Sequence, residues 1–158
     1  MLPPTDPTGL RRLVAYDAWA NRRLAAACTD AHPQAIRLLA HACTSERVWL
    51  RRMEGAQPTS QATDFWPEVS ADALRTLAEE AAEAMQAFTD ALSAADLTER
   101  EATYRNSKGV DYRTRFGDVL THVLLHSHYH RGQAAMALRE AGTAPPWTDF
   151  IAFVRAGG

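Results

Sequence analysis

The sequence predicts an all-α fold, a bundle of four long helices, on three observations. Apolar residues recur at helical spacing through four long stretches. Each stretch is bounded by capping or breaking residues, and strand-like alternation is confined to one short hairpin.

Asp6-Pro7 sets a capping side chain before a proline at the first helical position. Leu10, Leu13, Val14, Ala20, Leu24, Ala27 and Cys28 then recur at helical spacing, interrupted by the polar Asp17, and predict helix one over about 7–29. His32-Pro33 marks the next start, and Ile36, Leu39, Cys43, Val48, Trp49, Leu50 and Met53 carry helix two to Gly55, a good stop residue. Residues 56–69 hold two prolines and many polar turn formers, and read as a loop over one end of the fold. Ser70 caps a third helix of roughly 71–94, rich in alanine and glutamate.

Between 99 and 115 the pattern changes. Thr103-Tyr104-Arg105 and Val110-Asp111-Tyr112 flank Asn106-Ser107-Lys108-Gly109, a short hairpin-like connection with glycine at the strained position. Helix four starts near Thr114 and runs to Ala141-Gly142, where Gly142 and Pro145-Pro146 stop it. A last segment, Thr148 to Val154, adds one helical turn or two.

Helices of this length, with no other strands to cover them, bury their apolar stripes only against each other, which is the case for the four-helix bundle. The connections at 56–69 and 95–115 are long enough for a crossover. Residues 1–158 are expected to form a single domain, large enough to bury roughly two-thirds of its unfolded surface without staples. Cys28 and Cys43 lie inside helical patterns and read as small buried hydrophobes.

Composition narrows the function. Hydrophobic residues at 46% and charged residues at 23% are globular values. A net charge of −2 and arginines interleaved with acids or apolar residues argue against a nucleic-acid partner. No stretch approaches the ~20 apolar residues that span a bilayer, and Met1 to Pro7 has no basic and apolar leader pattern, so no membrane partner and a cytoplasmic location are expected.

The chemistry is concentrated in histidine. Four of the six lie at 122, 126, 128 and 130 on helix four. Imidazoles at i and i+4 stand ~6 Å apart along the axis and reach one ion, whereas His122 and His130, about 12 Å apart, do not share one with His126 between them. The pair is therefore His122/His126 or His126/His130. A heptad seam through Phe116, Val119, Val123, His126, His130, Gln133 and Ala137 turns His126 and His130 inward, His122 to its flank and His128 outward.

Two adjacent imidazoles in an apolar seam need partners, and a metal ion satisfies both. The third ligand must come from another helix, where His41 is the one further histidine suited to the interior; His32, beside Pro33, reads as a capping or loop residue. Three histidines with an open position are the ligand set of a catalytic zinc site; nickel and iron also accept imidazole. Ser127, His128 and Tyr129 fill the positions between the two histidines, so the glutamate of an H-E-x-x-H protease is absent. Glu46, five residues after His41, reads as an exposed or capping salt-bridge partner before a base or a ligand-orienting group at the cavity edge.

Taken in order, Tyr16-Asp-Ala-Trp19-Ala-Asn21-Arg-Arg-Leu24, Leu39-Ala-His41 with Glu46-Arg-Val-Trp49-Leu50, Asn106-Ser107-Lys108-Gly109, and His126-Ser-His-Tyr129-His130-Arg131-Gly132-Gln133 resemble the DinB/YfiT-like family of metalloenzymes. The likeness extends from near residue 10 to Thr148-Asp149-Phe150-Ile151-Ala152. It implies an up-down-down-up bundle, commonly a homodimer, with a zinc- or nickel-type ion on His41, His126 and His130; iron or manganese would also be compatible. Relatives with assigned chemistry are transferases and isomerases that use low-molecular-weight thiols.

The expected function is therefore a metal-dependent thiol S-transferase or hydrolase acting on a small-molecule thiol or electrophile. The alternative is a non-catalytic metal-binding dimeric module of a stress response. Tyr16, Trp19 and Trp49 read as packing anchors. Asn21, Arg131 and Gln133 read either as groups that orient an imidazole or as interhelix hydrogen-bonding groups.

Overall fold

The computed structural model describes residues 6–56, 65–106 and 108–158. Most of the expected loop at 56–69, and Ser107 of the expected hairpin turn, lie outside the described residues. Among the described residues the chain is mostly helical with one two-stranded sheet. Its order is α1 (Pro7–Ala27), α2 (Pro33–Met53), α3 (Ala71–Asp90), α4 (Ala94–Glu99), β1 (Glu101–Arg105), β2 (Asp111–Arg115), α5 (Phe116–Glu140) and α6 (Phe150–Arg155).

Local chemistry accounts for the boundaries. The Asp6 carboxylate accepts from the Thr8 and Gly9 amides at 2.9 and 3.0 Å ahead of Pro7 and fixes the start of α1. α1 stops at Ala27, two residues short of the sequence expectation, because Cys28 is already extended. The third helix is also shorter than expected. It ends at Asp90, and a reciprocal capping box between Ser93 and Asp96 starts α4 as a separate short helix.

The hairpin is longer than the sequence pattern showed, with Glu101 opposite Arg115 and Arg105 opposite Asp111. Its turn is organised by the Asn106 side chain, which accepts from the Lys108 and Val110 amides at 2.9 and 3.0 Å. Gly109, at φ 77°, supplies the left-handed backbone. Because β2 pairs through Arg115, α5 begins at Phe116 rather than near Thr114. It ends where expected, with Gly142 at φ 82°.

α2 packs on α5 and α3, and α1 on α3 and α5. Arg11, at the start of α1, donates to the Asp90 and Leu92 carbonyls at 3.1 and 2.9 Å, past the end of α3, so these two helices are antiparallel. Leu24, Ile36, Leu39, Leu74, Ala134 and Leu138 form one apolar cluster, and Leu10, Val14, Leu50, Met85, Phe116 and Leu120 another. Between them runs a buried polar layer of Asp17, Asn21, Glu46, Ser127 and Arg131. α6 packs on α1 through Tyr16, Ala20 and Phe153.

That layer corrects the heptad reading of α5. The fully buried stripe runs through Phe116, Val119, Leu120, Val123, Ser127, Arg131, Ala134 and Leu138, while His126 and His130 lie half-buried beside it. Ser127 and the charged Arg131 hide the true stripe from a hydrophobicity pattern, so a heptad register settles on the neighbouring row that holds the two histidines.

Candidate metal centre

α2 and α5 present the site together. His41, the buried α2 histidine, faces His126 and His130, which stand one turn apart on α5. One ligand atom from each of the three lies within 4.8 Å of those of the other two. His41 Nε2 and His126 Nε2 are 3.3 Å apart. The rings of His126 and His130 are edge to face, with centroids 4.5 Å apart.

The outer nitrogens of two rings are tied. His41 Nδ1–H donates to the Phe65 carbonyl at 2.6 Å, and His130 Nδ1–H donates to Gln133 Oε1 at 2.7 Å. Each bond fixes the tautomer that leaves the Nε2 lone pair free, as a metal-binding imidazole requires. Trp66 stacks flat on the His41 ring, at 3.7 Å between centroids and 5° between planes.

Burial holds the imidazole of His126 unprotonated, and any positive charge on His130, His41 or His122 would repel a proton further. Its pKa falls to about 4. Burial also lowers His41, partly opposed by the hydrogen bond to Phe65. Both rings are neutral near pH 7, so no proton has to leave them before a cation binds.

The remaining histidines lie where the helix geometry puts them. His122 is on the flank, its ring tilted on His126 at 5.6 Å and edge-on to Trp49 at 5.3 Å. His128 is exposed on the far side. His32 is a loop residue, accepting from the Thr29 amide at 3.1 Å and bonded to the Thr143 hydroxyl at 2.9 Å.

Glu46 departs from the expectation of an exposed ion-pair partner. It is 3% exposed and belongs to the polar layer. Asn21 Nδ2 lies 3.0 Å from Asp17, 3.1 Å from Glu46 and 3.0 Å from Ser127, so its two hydrogens are shared among three acceptors. Arg131 Nη1 donates to Asp17 at 2.6 Å and to the Asn21 carbonyl at 2.9 Å. Burial first, then the neighbouring Asp17 carboxylate, pushes the Glu46 carboxyl well above its usual range.

Of the residues whose role the sequence left open, Gln133 orients an imidazole, and Asn21 and Arg131 clamp α1 to α5. Tyr16, Trp19 and Trp49 do pack, Tyr16 also donating to the Thr148 carbonyl at 2.8 Å. The sequence reading missed Phe65, whose contribution is a backbone carbonyl and leaves no side-chain signal. It also missed Trp66, where the one clue was an aromatic residue in a polar loop.

The donor set suits a metal ion. Three imidazoles from two helices, with ligand atoms converging and the outer N–H groups of two of them bonded, match the requirements of borderline divalent ions. Among the described residues no cysteine or carboxylate joins them in the cluster. No helix among those residues is long and apolar enough to cross a membrane. No curated protein matches the chain. A model of the DinB family matches residues 7–157, and with nearly its whole length covered the chain belongs to the DinB family.

Proposed function

We propose that this DinB-family chain is a metal-dependent enzyme of thiol S-transferase type, with hydrolysis the other reaction its site would serve. His41, His126 and His130 would hold a divalent ion, zinc or nickel before iron or manganese. The observation that carries this reading is the convergence of three ligand atoms within 4.8 Å, with two rings locked from behind. Such an ion supplies Lewis acidity, lowering the pKa of a bound thiol or water so that it is a nucleophile near neutral pH.

The chain's own residues prepare that chemistry. Phe65 and Gln133 aim two imidazoles, the depressed basicity of His126 keeps it available, and Trp66 shields one face of His41 from water. A small-molecule thiol or electrophile would take the coordination position that three histidine ligands leave unfilled. The free cysteines Cys28 and Cys43 suit a reducing compartment, and a cytoplasmic location belongs to the same proposal.

The four long helices are proposed to form the up-down-down-up bundle of the family. The antiparallel contact of α1 with α3 supports this, as does that of α2 with α5, where His41 meets His130 and Trp49 meets His122. A homodimer is proposed through the outer face of α5, where Leu125, Tyr129 and Met136 are exposed in one stripe. That stripe also favours the second reading, a non-catalytic dimeric metal-binding module, which predicts a site with no solvent-accessible cavity or a fourth protein ligand that closes the coordination.

Elemental analysis of tag-free protein purified without chelator tests the metal. We expect one divalent ion per chain, lost in His41→Ala and in His126→Ala. Protein without metal, or binding unchanged in both variants, overturns the reading. A screen of the loaded protein for thiol transfer then separates the enzyme from the module.

A further inference from the structure

A cleft of about 490 Å³ opens between the first turns of α2 and the segment 66–69. That volume falls within the ~300–1,000 Å³ of sites that enclose small molecules. None of the three histidines lines it, but Trp66 does, and the same ring stacks flat on His41 at 3.7 Å. Trp66 is therefore a wall shared by the cleft and the candidate metal centre.

The lining carries charges of both signs. Arg37 stands one turn before His41 on the same side of α2, and its guanidinium carbon lies 5.1 Å from the Trp66 ring centroid. Among the described residues neither Arg37 nor Glu68 belongs to an ion pair. Asp30 is held in place, because its Oδ1 accepts from the Ala71 amide at 2.8 Å. Pro33, Ile36 and Val69 supply apolar surface between these groups.

Each charge selects part of a ligand. An arginine over an aromatic face is anchored by its charge and still offers the fork of donors that a carboxylate takes bidentately. Carboxylates are acceptors only and take the N–H groups of an ammonium. A molecule with a single charge satisfies one sign of the cleft and leaves the other without a partner. A free α-amino acid carries both charges on one carbon, and an apolar side chain suits the remaining wall.

We propose that this cleft is a second ligand site, which binds the zwitterion of a free amino acid with an apolar side chain. Arg37 takes the carboxylate, Glu68 and Asp30 take the ammonium, and Trp66, Ile36 and Val69 cover the side chain. The charge contacts need no metal, so the site stands apart from the enzyme reading.

Phenylalanine, N-acetylphenylalanine and phenylalaninamide are titrated by calorimetry into wild type, Arg37→Gln and Glu68→Gln, as purified and again after metal removal. Thermal unfolding is recorded for each; both side chains are exposed, and both variants should fold. Phenylalanine should bind, and each analogue that lacks one charge should bind about tenfold or more weakly. Arg37→Gln should weaken phenylalanine to the same degree and leave phenylalaninamide, which has no carboxylate, unchanged. Glu68→Gln should weaken phenylalanine less, since Asp30 remains, and leave N-acetylphenylalanine unchanged. No binding of phenylalanine to folded wild type, equal affinity for the three compounds, or unchanged affinity in Arg37→Gln overturns the proposal. Binding that persists without metal supports the cleft. Binding lost with the metal means that phenylalanine chelates the ion instead, and overturns it.

Discussion

Gln133 and the Phe65 carbonyl perform the same task on two imidazoles, and only Gln133 is open to substitution. Removing its acceptor frees the His130 ring to rotate and to exchange tautomers, so Gln133→Ala should bind the metal about 10–100-fold more weakly, read by competition with a chromogenic chelator. Gln133→Glu keeps an acceptor at the same place and should stay close to wild type. Glu46 makes a different prediction. In the unfolded chain its carboxyl ionises near 4.5, whereas in the fold burial and Asp17 hold the proton to well above that. The folded state therefore binds more protons through that window, so the stability Glu46 contributes is full below the unfolded value and is lost as pH rises toward the folded one. Glu46→Gln still offers a carbonyl to Asn21 and an N–H to Asp17. It should be more stable than wild type at neutral pH and flatten the decline of stability with pH, measured by urea unfolding from pH 4 to 8. An unchanged slope would mean that Glu46 is ionised in the folded protein.

α5 shows where pattern reading succeeds and where it stops. The i, i+4 spacing of its histidines left His122/His126 open beside His126/His130, but its extent and its stop at Gly142 were legible, because glycine punctuation is a local property of the chain. The face it buries was not, because Ser127 and Arg131 belong to the interior only when Asp17, Asn21 and Glu46 from two other helices are there to meet them. The same holds for α4, whose capping box is visible only once α3 is known to stop at Asp90. Arg131 is thus an attachment of α5 to α1, and Arg131→Ala leaves Asp17 buried without its counter-charge. We expect a loss of about 3–5 kcal/mol in unfolding free energy. Replacing both partners by apolar residues, Asp17→Leu with Arg131→Met, removes the orphaned charge and should recover much of that loss. A double variant no more stable than Arg131→Ala would show that Asn21 and Glu46, rather than the ion pair, set the energetics of the layer.

At the scale of the whole molecule, the apolar surface is unevenly distributed. Leu125, Tyr129 and Met136 are 65%, 62% and 60% exposed on α5, and Gly132 stands between them with open space where a side chain would be. The spacing of four, three and four residues puts all of them on one face, turned away from the stripe that α5 buries. A face of this kind pairs most simply with its own copy about a two-fold axis, and a glycine at its centre lets two helix backbones approach closely. The protein should sediment as a dimer, and Leu125→Glu with Met136→Glu should shift it to monomer while leaving the fold intact, since neither side chain enters the core. The proposed interface and the candidate metal centre share one helix, and the Tyr129 ring lies 5.1 Å from that of His130. Pairing would therefore hold the ligand helix in place from outside, as Gln133 holds one ligand from within. The monomeric variant should keep its metal, because His41, His126 and His130 all come from one chain. Its melting temperature should lose the concentration dependence that the proposed association would impose on wild type. A wild type that sediments as a monomer at micromolar concentration would remove the dimer and leave this face for a different partner.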